Sequence, residues 1–267
     1  MKKYFSQPLE TKLLDSHGKA TRGYVGEGTF SAVEKDDPSS SFEHLAIGCH
    51  ELHQNQPNTL PSLFHQSHPG LVERYITTCE YIVDLLLSRL SSALHIPSLL
   101  GSHHDHTQPS DSILALLSYR DHLNHQRHTD LGSLTILFSD EWGLQVVSPS
   151  TGNWEWVEPQ SQLAVINVGD TLRFLTGKKL YSCIHRVVRD GRAGMERKQR
   201  YSIAYLLRPG NDTVFRDSNE REVMMKEFVE QKYETYSAPH EVQDRDGVLT
   251  GGMEQVLAAA GIVQPMV

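Results

Sequence analysis

The chain has 267 residues, with 33 Asp and Glu against 25 Lys and Arg, a formal net charge of −8 and a pI near 6.0. That balance leaves no basic footprint for a phosphate backbone, so nucleic acid is not an expected partner. Cys49, Cys79 and Cys183 are odd in number and lack metal-type spacing, which fits a reducing compartment without disulfides. Met1-Lys2-Lys3 is followed by no apolar run of signal-peptide type, and no stretch reaches membrane-spanning length. A cytoplasmic protein without membrane contact is expected.

After an irregular start, residues 70–95 place Val72, Tyr75, Cys79, Ile82, Leu86, Leu90 and Ala93 at three- and four-residue steps. The pattern predicts an amphipathic helix, opened by Pro69 and closed before Pro97, that packs on a sheet. The stretch 102–112, with His103-His104-Asp105-His106, reads as a solvated polar loop, because consecutive histidines in a loop cannot all face one ion. His122 and His125 read the same way. Strands are then predicted over Ile113–Tyr119, Leu134–Phe138, Leu144–Val147, Asn153–Val157, Leu163–Val168, Thr171–Leu175, Cys183–Val188 and Arg200–Leu207. Turn chemistry at Pro149-Ser150-Thr151-Gly152, Gly169-Asp170 and Gly177-Lys178-Lys179 separates them. Many short strands at regular intervals describe two sheets of a cupin-like jelly roll, mainly β with flanking helices. The glycine-punctuated polar run 190–199 reads as a mobile hairpin tip. A second helical pattern over Glu220–Tyr236 bears Met224, Phe228 and Tyr233, and a third covers Met253–Ala260. The predicted organisation is one domain over 1–267, with N-terminal loops and helical support in 1–110, a jelly-roll core in 111–210 and a helical tail in 211–267.

Three fragments carry chemistry: His128-Thr129-Asp130, His185, and Arg200-Tyr201-Ser202. Each alone has an ordinary explanation. Among 15 His a chance His-x-Asp is common, His185 in a β-like run could be a satisfied core histidine, and Arg200 could be solvated. Residues two apart on a strand share a face, so His128 and Asp130 can converge on one ion. Two imidazoles and one carboxylate leave other metal positions open, the arrangement of non-haem Fe(II) oxygenases rather than of closed structural zinc. Arg200 offers a planar fork suited to a cosubstrate carboxylate. Cys183 shares parity with His185 but reads as a small buried hydrophobe.

From His128 to Pro209 the order and spacing resemble the isopenicillin N synthase-like 2-oxoglutarate/Fe(II) dioxygenases, through His128-Thr129-Asp130-Leu131-Gly132-Ser133-Leu134-Thr135, Gly143-Leu144-Gln145-Val146, Asn167-Val168-Gly169-Asp170, His185-Arg186-Val187, Arg200-Tyr201-Ser202 and Pro209. Details such as Phe138-Ser139-Asp140-Glu141-Trp142-Gly143 and Leu249-Thr250-Gly251-Gly252-Met253-Glu254 look like the fungal branch, common in secondary metabolism. The resemblance implies a double-stranded β-helix with Fe(II) held by His128, Asp130 and His185. It further implies that 2-oxoglutarate chelates two open positions, its far carboxylate meeting Arg200 and Ser202, with dioxygen as oxidant and ascorbate as reductant. Succinate and CO2 would be released as a small organic molecule is hydroxylated, desaturated, epoxidised or cyclised. Asp130 argues against a halogenase, which would need that ligand position free for halide.

Tyr119 is a candidate donor to the iron-side carboxylate of the cosubstrate, whereas Leu117 stands where many relatives carry Asn. Side chains of even number on the Arg200–Leu207 strand should face inward, making Leu206 a substrate wall. Tyr4–Lys12 looks like a family segment that follows its first strand and helix, and Arg22-Gly23-Tyr24 like a later active-site loop, with Tyr24 a second substrate wall. On that reading about the first quarter of a usual member is absent, and an uncovered edge or face would favour a homodimer or a partner chain. Two rival readings are an iron oxidase of the same fold that does not use 2-oxoglutarate, and a non-catalytic auxiliary subunit.

Overall fold

The computed structural model describes residues 1–19, 21–27, 29, 42–96, 99–119, 125–188, 199–238, 240–243 and 247–259. His122 and nearly all of the 190–199 connection lie outside them. Two short helices, α1 (Lys2–Phe5) and α2 (Leu9–Leu13), open the chain, and β1 (Ser16–Lys19) and β2 (Arg22–Val25) lead to β3 (Glu43–Gly48). Four helices follow: α3 (Cys49–His53), α4 (Ser62–Ser67), α5 (Leu71–Ala93) and α6 (Leu99–Ser102). Then come β4 (Ile113–Tyr119), β5 (His125–His128), β6 (Leu134–Phe138), β7 (Leu144–Val147), β8 (Trp154–Trp156) and β9 (Val165–Val168). Helix α7 (Asp170–Leu175) precedes β10 (His185–Val187) and β11 (Arg200–Leu207). A hairpin of β12 (Val214–Arg216) and β13 (Glu222–Met224) introduces α8 (Met225–Ser237), α9 (His240–Gln243) and α10 (Met253–Ala259).

Seven strands form one antiparallel sheet in the order β1-β2-β3-β4-β11-β6-β9, and four form a second in the order β5-β10-β7-β8. Together they make a jelly-roll core. Strand β11 shows how sequence alternation builds it. Arg200, Ser202, Ala204 and Leu206 line a cavity, as their shared parity predicts. Tyr205 and Leu207 point the other way, into the main core with Ile76, Val83 and Leu87 of α5. Helix α5 therefore covers the outer face of the large sheet. Its buried line is Val72, Ile76, Cys79, Val83 and Leu87, while Tyr75, Ile82, Leu86 and Leu90 pack at its border. The predicted stripe shares Val72 and Cys79 with the buried line but otherwise follows the border through Tyr75, Ile82, Leu86 and Leu90, and its last member, Ala93, is exposed. Both lines satisfy three- and four-residue steps, so spacing alone does not choose between them. Leu87→Ala should lower unfolding free energy by about 2–5 kcal/mol through a core cavity. In urea titrations Leu85→Ala, at a position 47% exposed, should stay within about 0.5 kcal/mol of the parent.

Several expected elements differ. The run 171–175 is helical, not a strand. Five residues, Thr171-Leu172-Arg173-Phe174-Leu175, are too few to separate a period of two from one of 3.6, and Asp170 is tied into buried contacts that start the helix turn. The expected helix over 220–236 begins only at Met225. Asp217 accepts hydrogen bonds from the backbone N–H groups of Asn219 and Arg221, and Glu220 is left-handed at φ 60°, so a hairpin forms first. Nor is the start irregular, since Tyr4 and Phe5 of α1 enter the main core and every residue of β3 is buried. The 102–112 stretch is a loop from residue 103 onward, with Asp105, Thr107, Gln108 and Pro109 exposed as expected, but two of its histidines are held. His104 is buried, its Nε2 2.6 Å from Ser133 Oγ, and His106 Nε2 lies 3.0 Å from Asp84 Oδ1. His125 opens β5 instead of lying in a loop. Among the described residues no helix is long and apolar enough to cross a membrane.

Candidate metal centre

His128 closes β5, His185 opens β10, and the antiparallel ladder sets the two directly opposite. Their ring centroids are 4.2 Å apart. Asp130 lies just beyond the end of β5 and keeps the parity of His128. Its Oδ1 is 3.9 Å from His128 Nε2 and 3.7 Å from His185 Nε2. Bonds of roughly 2 Å to a shared ion put ligand atoms about 3–4 Å apart, so these three groups fit one metal. Among the described residues they are the one group of three or more His, Cys, Asp or Glu close enough to share an ion.

Asp130 and His185 are oriented from behind. Asp130 Oδ2 accepts hydrogen bonds from Thr135 Oγ1 at 2.6 Å and Asn167 Nδ2 at 2.7 Å, which leaves Oδ1 facing the imidazoles. Burial alone would raise the Asp130 pKa. His185, His128 and the two hydrogen bonds outweigh it and hold the carboxyl at about 2, so it is ionised at neutral pH. His185 Nδ1 lies 3.0 Å from the carbonyl oxygen of Cys183. A carbonyl can only accept, so Nδ1 carries the proton and Nε2 presents its lone pair. Cys183 is half-buried and lines the cavity, with burial pushing its thiol up to about 11.

Beneath the ligands lies a charged knot. Asp170 and Lys232 are fully buried, with Nζ 2.7 Å from Oδ2. Thr129 Oγ1 and Ser182 Oγ donate to the Asp170 carboxylate at 2.7 Å each, and Lys232 also donates to the Thr129 carbonyl at 2.8 Å. The residue between His128 and Asp130 is thus fastened to α8. Lys232→Met should destabilise the fold by about 3–5 kcal/mol, because Asp170 would be left a buried charge without its cation. Adding Asp170→Asn to that variant should restore part of the loss in thermal or urea unfolding.

Arg200 begins β11 opposite Tyr119 of β4 and is wholly buried in the cavity wall. Its Nε donates to the Trp142 carbonyl at 3.2 Å, and its guanidinium carbon lies 5.0 Å from the Tyr119 ring centre. Gly143 runs alongside at φ 136°, where an added Cβ would press on Arg200 Nε at 3.1 Å, so the close approach requires glycine. Burial raises the Tyr119 pKa and keeps the phenol protonated, hence a donor. Ser202 and Leu206 line the same cavity of about 170 Å³, and Leu117 lines it opposite Ser202. Tyr24 does not join them. It sits on β2, buried in the main core, its hydroxyl donating to Glu43 Oε2 at 2.8 Å beside Lys12. Arg22-Gly23-Tyr24 is a strand and not an active-site loop, and Arg22 pairs with Glu51 and Asp111.

Thr135, Asn167, Asp170 and Lys232 were not assigned roles from sequence. Thr135 and Asn167 are directly opposed on β6 and β9, a register no local pattern announces. Lys232, Tyr233 and Tyr236 share the face of α8 that closes the cavity, at helical spacing that reads as ordinary amphipathicity.

A jelly roll enclosing two imidazoles and a carboxylate, with a buried arginine in the same cavity, defines a non-haem iron oxygenase. Residues 100–209 match the 2OG-Fe(II) oxygenase superfamily, and the chain belongs to it. It is 39% identical to the 2-oxoglutarate-dependent dioxygenase FG08081 of Gibberella zeae, over 97% of this chain and 78% of that relative. The 2-oxoglutarate-dependent dioxygenase iboH of Amanita muscaria is 43% identical over 74% of this chain and 100% of its own length. A full-length Neurospora crassa protein crystallised with alpha-KG superposes with a TM-score of 0.69 at 25% identity, over 87% of this chain and 79% of that one. The protein is an oxidoreductase, a dioxygenase that uses iron and 2-oxoglutarate.

Proposed function

We propose that His128, Asp130 and His185 hold Fe(II), that Arg200 and Ser202 bind the distal carboxylate of 2-oxoglutarate, and that the substrate is a small organic molecule of secondary-metabolite type. Iron with 2-oxoglutarate and dioxygen supplies oxidation of a C–H bond, with release of succinate and CO2. The protein's residues position and protect that chemistry. Thr135 and Asn167 fix the carboxylate ligand, the Cys183 carbonyl fixes the His185 tautomer, and Arg200 presents a planar fork from the sheet floor. Tyr119, opposite Arg200 on β4, would donate to the cosubstrate, and Leu206, in the lining of the same cavity, would wall the substrate.

The observation that carries this reading is the convergence of three ligand atoms within 4.8 Å of one another on a cavity that also contains a fully buried arginine. Anaerobic titration of Fe(II) and 2-oxoglutarate, followed by the visible charge-transfer band of the chelate, tests it directly. Folded, iron-loaded protein that gives neither the band nor succinate in air would refute the assignment. A band absent with succinate-free oxidation would point to the oxidase chemistry instead.

A further inference from the structure

Arg208 follows β11 and continues the parity of Arg200, Ser202, Ala204 and Leu206, and it lines the same cavity. Arg208 lies eight residue steps from Arg200, roughly 26 Å along an extended chain. The metal carboxylate belongs to the Arg208 end. Thr135, which bonds Asp130, is in register with Leu206, and an added Cβ on Gly132 would come within 3.0 Å of Arg208 Cγ. The cavity therefore has a cationic group on each side of the triad level, and the cosubstrate needs only Arg200.

Arg208 is 2% exposed, and its polar contacts are neutral. One terminal nitrogen donates to the Asp111 carbonyl at 2.7 Å and the other to the Tyr233 hydroxyl at 3.1 Å. Its Nε is buried without an acceptor among the described residues. The nearby Asp111 carboxylate is engaged by Arg22 at 3.1 Å and is not available to it. Buried cations are costly unless an anion joins them, and none of the described residues supplies one. The cavity that it lines also carries the apolar side chains of Ile113, Leu131 and Leu206.

We propose that Arg208, with Tyr233, is a substrate anchor and that the primary substrate is a carboxylate on a compact apolar body, bound on the opposite side of the iron from 2-oxoglutarate. This rests on the dioxygenase reading above and names the substrate class of that same site. Arg208 is a binding residue and takes no part in the bond-breaking step.

The test loads the protein anaerobically with Fe(II) and saturating 2-oxoglutarate, so that Arg200 is occupied. It then titrates hexanoate, benzoate, phenylacetate and cinnamate against their primary amides, reading both the chelate band and the melting temperature. At least one acid should shift both signals and bind tenfold or more tightly than its amide. Arg208→Gln should erase that preference while the chelate band still forms, and Arg208→Lys should keep part of it. Wild-type protein that binds amides as well as acids, or binds no acid of the set at millimolar concentration, overturns the proposal. So does an acid preference that survives in Arg208→Gln. A chelate band that never forms in wild-type protein would instead refute the dioxygenase assignment, and the inference with it.

Discussion

Asp130→Ala is expected to abolish 2-oxoglutarate turnover and to weaken iron binding by more than about a hundredfold. Loss of groups that merely orient a ligand commonly costs 10–100-fold in metal affinity, and here the ligand itself disappears. The substitution removes the one negative charge that faces both imidazoles, at 3.9 and 3.7 Å. It also strands Thr135 Oγ1 and Asn167 Nδ2, two donors aimed at an oxygen that is no longer there. Iron content by equilibrium dialysis and succinate release by chromatography read the two effects separately. A variant that holds iron as the parent does would remove Asp130 from the ligand set.

Arg200→Ala should raise the 2-oxoglutarate dissociation constant by about 2–5 kcal/mol, roughly a thirtyfold to several-thousandfold loss, since the ligand carboxylate would be left desolvated without its cation. Arg200→Lys should fall between parent and alanine variant. Lysine keeps the charge but not the paired planar donors, and Arg200 is already oriented by the Trp142 carbonyl and by the glycine that lets it lie close. Iron affinity measured without cosubstrate should be unchanged in both. If either variant titrates with 2-oxoglutarate as the parent does, or loses iron, the clamp lies elsewhere.

The metal triad was legible because its parts are short-range. His128 and Asp130 share parity, and a β-like run carries His185, so a strand period and a known donor chemistry were enough. That Leu206 faces the cavity was legible for the same reason, as the third inward step from Arg200. What stayed hidden depends on long-range register. Nothing near Lys232 in sequence reveals that its ammonium meets Asp170, 62 residues earlier, or that this pair clamps Thr129. Tyr24 failed by the same logic in reverse. A short family-like string suggested an active-site loop, but the three-strand pairing β2-β3-β4 takes it away from the cavity and gives its hydroxyl to Glu43. The helix over 171–175 was lost because its start is set by buried contacts to Asp170 and not by propensity.

Because β11 buries both of its faces, it works as a sorting rail: alternate positions belong to two separate tasks, one chemical and one architectural. With the roles proposed for Leu206 and Arg208, point substitutions there should retune what enters the cavity without disturbing Tyr205 or Leu207 on the far side. A one-residue insertion after Tyr201, with the rest of the strand held in register, would turn Arg200 toward the core face and bring Tyr201 into the cavity. Divergence of selectivity along this strand should therefore proceed by replacement at fixed length, with length changes confined to the connections that flank it.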